Sequence, residues 1–318
     1  YQTLPTKKPA CCRFFWLMTM ATDRYRGRFS PSPTGPLHFG SLVAAVGSFL
    51  DARSREGEWL LRMEDLDPPR EVEGAADDIL RVLDDYGLHW DGPVIYQSSR
   101  EQHYAEALAR LDAAGQLYPC GCSRRDISRA QPPGKLPEFY PGTCRNGLQA
   151  EREAPSIRVR TRDLSIRFDD RLQGPQQECL PDTCGDFILR RAGGLFAYQL
   201  AVVVDDAEQG ITDIVRGADL LDSTGRQIYL QQLLGYPTPH YMHLPIAVDA
   251  QGGKLSKQTH APPVSRQHRS QTLCAALLFL GQPLEEGMET AEPGEIWQWA
   301  IEHWDIRALP RQRCIEHH

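Results

Sequence analysis

An α/β fold built on a parallel, Rossmann-like sheet is what this sequence predicts, on three observations. Short apolar runs alternate with segments of helical periodicity from Arg24 to Gly115. A Pro/Gly-rich, arginine-bearing stretch then breaks the pattern, and strands resume at Asp186. Such alternation reads as a sheet with helices packed on its faces. At 318 residues, 41% hydrophobic and 24% charged, the chain can bury a full core as one large domain with an insertion, or as two domains.

A short strand around Arg26-Gly-Arg-Phe29 opens the fold and ends in the turn Ser30-Pro-Ser-Pro-Thr-Gly-Pro36. Proline and glycine break regular structure there and let backbone N–H groups approach a ligand. Leu42, Val43, Val46, Phe49 and Leu50 recur at helical spacing, which predicts a helix from His38 to Ala52 with Gly40 and Ser41 near its N-terminus. A helix N-terminus favours phosphate, although an ordinary strand-to-helix connection has the same pattern.

Glu58–Met63 reads as a buried strand ending in the carboxylates Glu64, Asp65 and Asp67, where ligands collect in open α/β sheets. A helix follows over Gly74–Tyr86 with Gly87 as its stop, then a strand over Val94–Tyr96. The next helix, capped by Ser98 or Ser99, runs to Ala114. From Tyr118 to Gly185 an insertion is expected. Strands follow at Asp186–Arg190, Leu195–Val204 and Ile211–Val215, a helix at Thr224–Leu234, and a strand at Met242–Val248. The chain then enters the loop Asp249–Gln258, and helical pieces at Thr272–Leu280 and Glu295–Glu302 close the pattern.

A net charge of −7 excludes a generally basic nucleic-acid coat, but not a local basic face. Arginines crowd the segment from Arg124 to Arg171, as either a solvated surface or a phosphate contact. Nine cysteines without even spacing or a secretory signal indicate reduced thiols and a cytoplasmic protein, and no run is long enough to span a membrane. Tyr1 to Asp23 reads as an unstructured leader, with Met18 or Met20 as candidate translation starts. Cys120, Cys122 and Cys144 offer three thiolates at zinc-ligand spacing, with Cys179 and Cys184 as competitors and three buried thiols as the plain alternative.

Two distant signals, Leu37-His-Phe-Gly-Ser41 and Lys254-Leu-Ser-Lys-Gln258, flank this core. Together they resemble the HIGH and KMSKS signatures of class I aminoacyl-tRNA synthetases. Arg28-Phe-Ser-Pro-Ser-Pro-Thr-Gly35, Arg62-Met-Glu-Asp-Leu-Asp67, Tyr198-Gln-Leu-Ala-Val-Val-Val-Asp-Asp206, Ile214-Val-Arg-Gly-Ala-Asp219 and Asp222-Ser-Thr-Gly-Arg-Gln227 are similar to the glutamyl branch, so the resemblance spans most of Arg24 to His260. Ser41 stands where many class I enzymes have histidine, and Gln258 replaces the last serine; both changes leave the phosphate-binding groups in place. The stretch from Lys257 to His318 is too short for the anticodon-binding region of full glutamyl-tRNA synthetases. The chain thus resembles the branch that joins glutamate to the queuosine base of tRNA(Asp).

This resemblance implies that ATP, accompanied by Mg²⁺, activates L-glutamate to an adenylate. Glutamate then passes to the wobble queuosine of tRNA(Asp), whose anticodon arm takes the place of an acceptor stem. His38, Gly40, Ser41, Lys254 and Lys257 are the implied ATP-binding residues, His38 and Lys257 the catalytic ones, and Lys254 the less defined partner. Arg28, Ser30, Ser32 and Arg216 are assigned to the anionic groups of glutamate, Glu64 to its ammonium and Tyr198 to a hydrogen bond. Tyr140 becomes the fourth ligand of a structural Zn²⁺ beside Cys120, Cys122 and Cys144. The expected divisions are a leader at 1–23, a catalytic domain in halves at 24–117 and 186–262, a zinc-bearing insertion at 118–185, and a short helical C-terminal region at 263–318, in a monomer.

Overall fold

The computed structural model describes residues 24–136, 139–148, 155–253 and 262–317. The leader read at 1–23 and the stretch carrying Lys254 and Lys257 lie outside the described residues.

The first half follows the expected alternation: β1 (Arg26–Phe29), α1 (Phe39–Arg53), β2 (Glu58–Met63), α2 (Ala75–Asp85), β3 (Ile95–Tyr96) and α3 (Glu101–Ala113). β2 lies between β1 and β3, parallel to both. Gly87, at φ 72°, stops α2 in the left-handed conformation that glycine tolerates best. Neither serine caps α3. Asp65 accepts hydrogen bonds from the Ser98 backbone N–H and hydroxyl, while the Ser99 hydroxyl donates to the Tyr96 carbonyl. Both are spent on the loop, and a 3-10 turn at Gln97–Arg100 leads into the helix instead.

Regular structure continues where an insertion was expected: β4 (Leu117–Cys120), α4 (Arg124–Ala130), β5 (Ser156–Val159), β6 (Ser165–Asp170), β7 (Gly174–Cys179) and the single turn α5 (Leu180–Thr183), after which β8 (Ile188–Arg190) falls within the strand expected at Asp186–Arg190. β4, β5 and β8 form a small antiparallel sheet. β6 and β7 form a hairpin, and β6 also runs parallel to a later core strand. Short strands with arginine on their outer positions, such as Ser165-Ile-Arg-Phe, carry too little apolar alternation to be read alone.

The stretch Leu195–Val204 is not a strand. After the turn at Gly193 and Gly194, the chain forms α6 (Tyr198–Glu208), with Leu200 through Asp206 all buried. A helix covered on nearly every side has no apolar stripe, and its valines then mimic a buried strand. The rest comprises β9 (Asp213–Gly217), α7 (Leu221–Leu234), β10 (His240–Leu244), β11 (Ile246–Val248), α8 (Arg269–Phe279), α9 (Pro293–Glu302) and β12 (Cys314–Glu316). Pro245 divides the expected strand at Met242–Val248 in two, and β11 pairs with β12 instead of staying in the core sheet.

β10 lies between β9 and β6, parallel to both. The Thr212 N–H donates to the Arg26 carbonyl at 2.9 Å, laying β9 beside β1, so the strands read β3-β2-β1-β9-β10-β6-β7 across the molecule. The order reverses between β1 and β9. In such sheets a crevice opens beyond the carboxyl ends of the strands at the reversal. α8 and α9 pack on α1: Leu277 and Trp297 are buried, with Trp297 against Phe49 at 4.8 Å and donating to the Tyr86 carbonyl. Leu278, on the outer side of α8, is 59% exposed.

Candidate functional site

A cavity of about 450 Å³ occupies that crevice. It gathers Arg28, Ser30 and Ser32 from the end of β1, Glu64 from the end of β2, Tyr198 from the start of α6 and Arg216 from β9, with His38, Gly40 and Ser41 from the start of α1. These nine sequence-predicted residues, spread over the chain, thus share one chamber. Ser30 Oγ, Glu64 Oε1 and Arg216 Nη1 are buried there without hydrogen-bond partners. Unpaired buried polar atoms are costly, so a chamber that keeps a hydroxyl, a carboxylate oxygen and a guanidinium N–H unspent fits a polar, charged ligand.

On one wall, Arg28 is 3% exposed and its Nε donates to Asp206 Oδ1 at 3.0 Å. Arg62, fully buried, donates to the same oxygen at 2.8 Å and lies 3.6 Å from Glu64 Oε1. Burial works against ionising Asp206, but the guanidiniums of Arg28 and Arg62 hold its carboxyl below the usual range. Glu64 goes the other way. Burial pushes its carboxyl up to about 7; Arg62 and Arg28 oppose this and Asp206 and Asp205 assist it. The two carboxylates thus differ in use: Asp206, behind the cavity wall, is spent on arginines, and Glu64, which lines the cavity, keeps an oxygen without a hydrogen bond for a cation.

On β9, beside β1, Arg216 is 5% exposed, and its Nε donates to His243 Nε2 at 3.0 Å while Nη2 donates to Thr224 Oγ1 at 2.8 Å. Behind them, His243 Nδ1 lies 2.6 Å from Asp170 Oδ2. At the helix entrance, His38 occupies the N-cap of α1, with its Nδ1 accepting from the Ser41 N–H and its Nε2 3.0 Å from Ser41 Oγ. Beyond the stretch 254–261, the chain returns to this turn, where the Val264 N–H donates to the Leu37 carbonyl and Pro263 bridges His38.

A family model described as "tRNA synthetases class I (E and Q), catalytic domain" matches residues 24–278. The glutamyl-Q tRNA(Asp) synthetase of Dechloromonas aromatica (strain RCB) is 58% identical over 295 residues, spanning 92% of this chain and 97% of that relative. The chain belongs to this family of class I tRNA synthetases. The glutamyl-Q tRNA(Asp) synthetase of Aromatoleum aromaticum (strain DSM 19018 / LMG 30748 / EbN1) is 56% identical over 296 residues, spanning 93% of this chain and 94% of the relative. A solved structure, the glutamate-tRNA synthetase from Elizabethkingia anophelis, shares the fold with a TM-score of 0.77 at 22% identity, over 91% of this chain and 67% of that one.

Apart from this class I catalytic cavity, Cys120, Cys122 and Cys144 bring their sulfurs within 4.8 Å of one another. Tyr140 Oη joins them, 3.2 Å from Cys120 Sγ and 3.9 Å from Cys122 Sγ, and accepts from the Cys144 N–H. Thiolates around a tetrahedral zinc stand about 3.8 Å apart, so this donor set fits the ion with little adjustment. Cys184 is turned away toward the carbonyls of Leu180 and Gly185, and Cys179 toward Asp163. The geometry therefore separates the candidate ligands from their competitors. Gly185 makes the packing possible: it lies at φ +68°, and a Cβ there would stand 2.1 Å from the Tyr140 carbonyl oxygen. Among the described residues, no helix is long and apolar enough to cross a membrane.

Several residues that shape the synthetase site escaped the sequence reading: Asp206, Arg62, Thr224, His243 and Asp170. The misread α6 hid the first. Eight residues of strand would carry Asp206 about 26 Å from Tyr198, whereas eight residues of helix keep them about 12 Å apart. A helical reading of Tyr198-Gln-Leu-Ala-Val-Val-Val-Asp-Asp206 would have placed both on one side of the helix, about two turns apart. His243 and Asp170 lie 73 residues apart in sequence, on different strands, and no local pattern pairs them.

Proposed function

We propose that this protein activates L-glutamate with ATP, forming glutamyl-adenylate and pyrophosphate, and transfers the glutamyl group to the queuosine base at the wobble position of tRNA(Asp). The observation that carries this reading is the charge arrangement of the cavity, together with relatives named for the same reaction. Glutamate brings two carboxylates and one ammonium. Arg28 and Arg216 supply guanidiniums for the carboxylates, Glu64 supplies a carboxylate for the ammonium, and Ser30, Ser32 and Tyr198 supply hydroxyls.

In the first step, a carboxylate oxygen of glutamate forms a bond to the α-phosphorus of ATP as the bond to pyrophosphate breaks. Catalysis is then largely positioning and charge stabilisation. His38, Gly40 and Ser41 border the cavity at the N-terminus of α1, and Lys257, with Lys254, is assigned to the same phosphates by the motif that carries them, which lies outside the described residues. Mg²⁺ accompanies the nucleotide as part of that substrate. In the second step, a queuosine hydroxyl attacks the adenylate carbonyl and AMP leaves. Cys120, Cys122, Tyr140 and Cys144 would hold a structural Zn²⁺, which fixes the fold of residues 118–148 and takes no part in either step.

The test supplies radiolabelled glutamate, ATP and tRNA(Asp) with or without queuosine. Label is expected only on the queuosine-containing tRNA, and in the anticodon-loop fragment after nuclease digestion, not on the 3′-terminal nucleoside. Label that ignores queuosine would sink the transfer half of the proposal, while loss of glutamate-dependent pyrophosphate exchange would sink both halves.

The Glu64 assignment has a pH signature. Only the ionised carboxylate pairs with an ammonium, and with its carboxyl raised to about 7 the ionised fraction shrinks as pH falls below that value. kcat/KM for glutamate, which reports the free enzyme, is expected to drop about tenfold per pH unit below 7. Glu64→Gln should abolish this slope. A profile that is flat from pH 7 to 5 in the native protein would contradict the assignment.

A further inference from the structure

The guanidinium of Arg216 is not held by a carboxylate, as Arg28 is by Asp206, but by a neutral histidine. A guanidinium can only donate, so His243 Nε2, 3.0 Å from Arg216 Nε, must be an acceptor, and the ring proton must sit on Nδ1. There it meets Asp170 Oδ2 at 2.6 Å. Burial pushes the imidazole down to about 4, opposed by Asp170, so the ring stays neutral near pH 7. The chain is sealed: Asp170 is 3% exposed, and His243 and Thr224 are fully buried. Asp170 Oδ1 is anchored in turn by the N–H groups of Leu172, Gln173 and His243.

With Nε and Nη2 occupied, only Arg216 Nη1 is left unspent, and it is buried beside the cavity. A neutral partner also leaves the full positive charge of Arg216 for the ligand, which a carboxylate would cancel. Resting on the reading that Arg216 anchors glutamate, we propose that Asp170 and His243 are positioning residues for substrate. Asp170 fixes the tautomer of His243, and His243 fixes the guanidinium of Arg216 so that its free edge faces the glutamate carboxylate.

The chain of donors makes a near-isosteric test possible. In Asp170→Asn, the three backbone N–H groups keep the oxygen at the Oδ1 position, so the amide NH₂ faces His243 Nδ1 and donates to it. The ring must then carry its proton on Nε2, directed at Arg216 Nε–H, and the two donors repel. Full-length protein would be assayed by glutamate-dependent ATP–pyrophosphate exchange. For Asp170→Asn, the KM for glutamate is expected to rise about tenfold or more while the KM for ATP stays within about twofold.

His243→Asn, whose amide reaches only the Nδ1 position, should behave like Asp170→Asn. His243→Gln, which restores an acceptor near Nε2, should recover most of the loss. Arg216→Ala separates the two levels of the argument. If it leaves the glutamate KM native, the anchoring role and this inference both fall. If it raises KM while Asp170→Asn and His243→Asn keep native values, or raise both KM values equally, the positioning role alone is overturned.

Discussion

Arg216→Ala is expected to lower kcat/KM for glutamate by about 10- to 150-fold, the equivalent of about 1.5–3 kcal/mol for a lost charge-assisted contact. The side chain is 5% exposed on β9, where strand order reverses, and one of its N–H groups is held back from every protein partner. A methyl group cannot replace the charge, and water entering the space would solvate the substrate carboxylate less well than a fixed fork. Arg216→Lys should fall between, because an ammonium keeps the charge but cannot bond His243, Thr224 and the ligand together. Pyrophosphate exchange at saturating ATP is the measurement. An unchanged glutamate dependence in Arg216→Ala would remove this residue from the substrate site.

Elemental analysis of the native protein is expected to find one zinc per chain, and Cys120→Ser is expected to lose it and to open the segment around the thiol cluster to proteolysis. The packing available to this segment is slight: Tyr118, Cys120, Tyr140 and Cys144 form a small cluster of their own, with Cys122 and Ile127 against it. Structural zinc contributes about 10–16 kcal/mol of apparent binding energy in small metal-held modules, far beyond what such a cluster supplies. Cys184→Ser should keep the metal, since that thiol faces backbone carbonyls away from the other three. Zinc retained in Cys120→Ser, or absent from the native protein, would refute the ligand set. Because none of the four ligands lines the cavity, glutamate-dependent pyrophosphate exchange by Cys120→Ser should stay within about fivefold of native.

The first half of the fold was legible because β1 to α3 obey local rules. Trp59, Leu61 and Met63 are buried along β2, Ile79, Val82 and Leu83 mark one face of α2, and Gly87 and Gly115 follow the ends of α2 and α3. α6 was misread because burial on all sides erased its period, and β6 was missed because its pairing with β10 comes from far along the chain. The nine candidate residues that line one cavity are legible in the sequence, whereas partners such as Asp206 and His243 are not. Ser98 and Ser99 show the same limit on a small scale: both can cap a helix, and Asp65 and the Tyr96 carbonyl claimed them first.

The sequence by itself determined the residue types of the candidate site, through the blocks around Arg28, His38, Glu64, Tyr198 and Arg216, and the parallel α/β class of the fold. Only the tertiary structure decided the order of the strands, the separation of Cys120, Cys122, Tyr140 and Cys144 from Cys179 and Cys184, and the pairing of Arg28 with Asp206 and of Arg216 with His243 and Asp170. The physical reason is range. Propensity and periodicity act over a few residues and leave a readable local pattern, whereas a buried charge takes whichever partner the packed chain brings within about 3 Å of it.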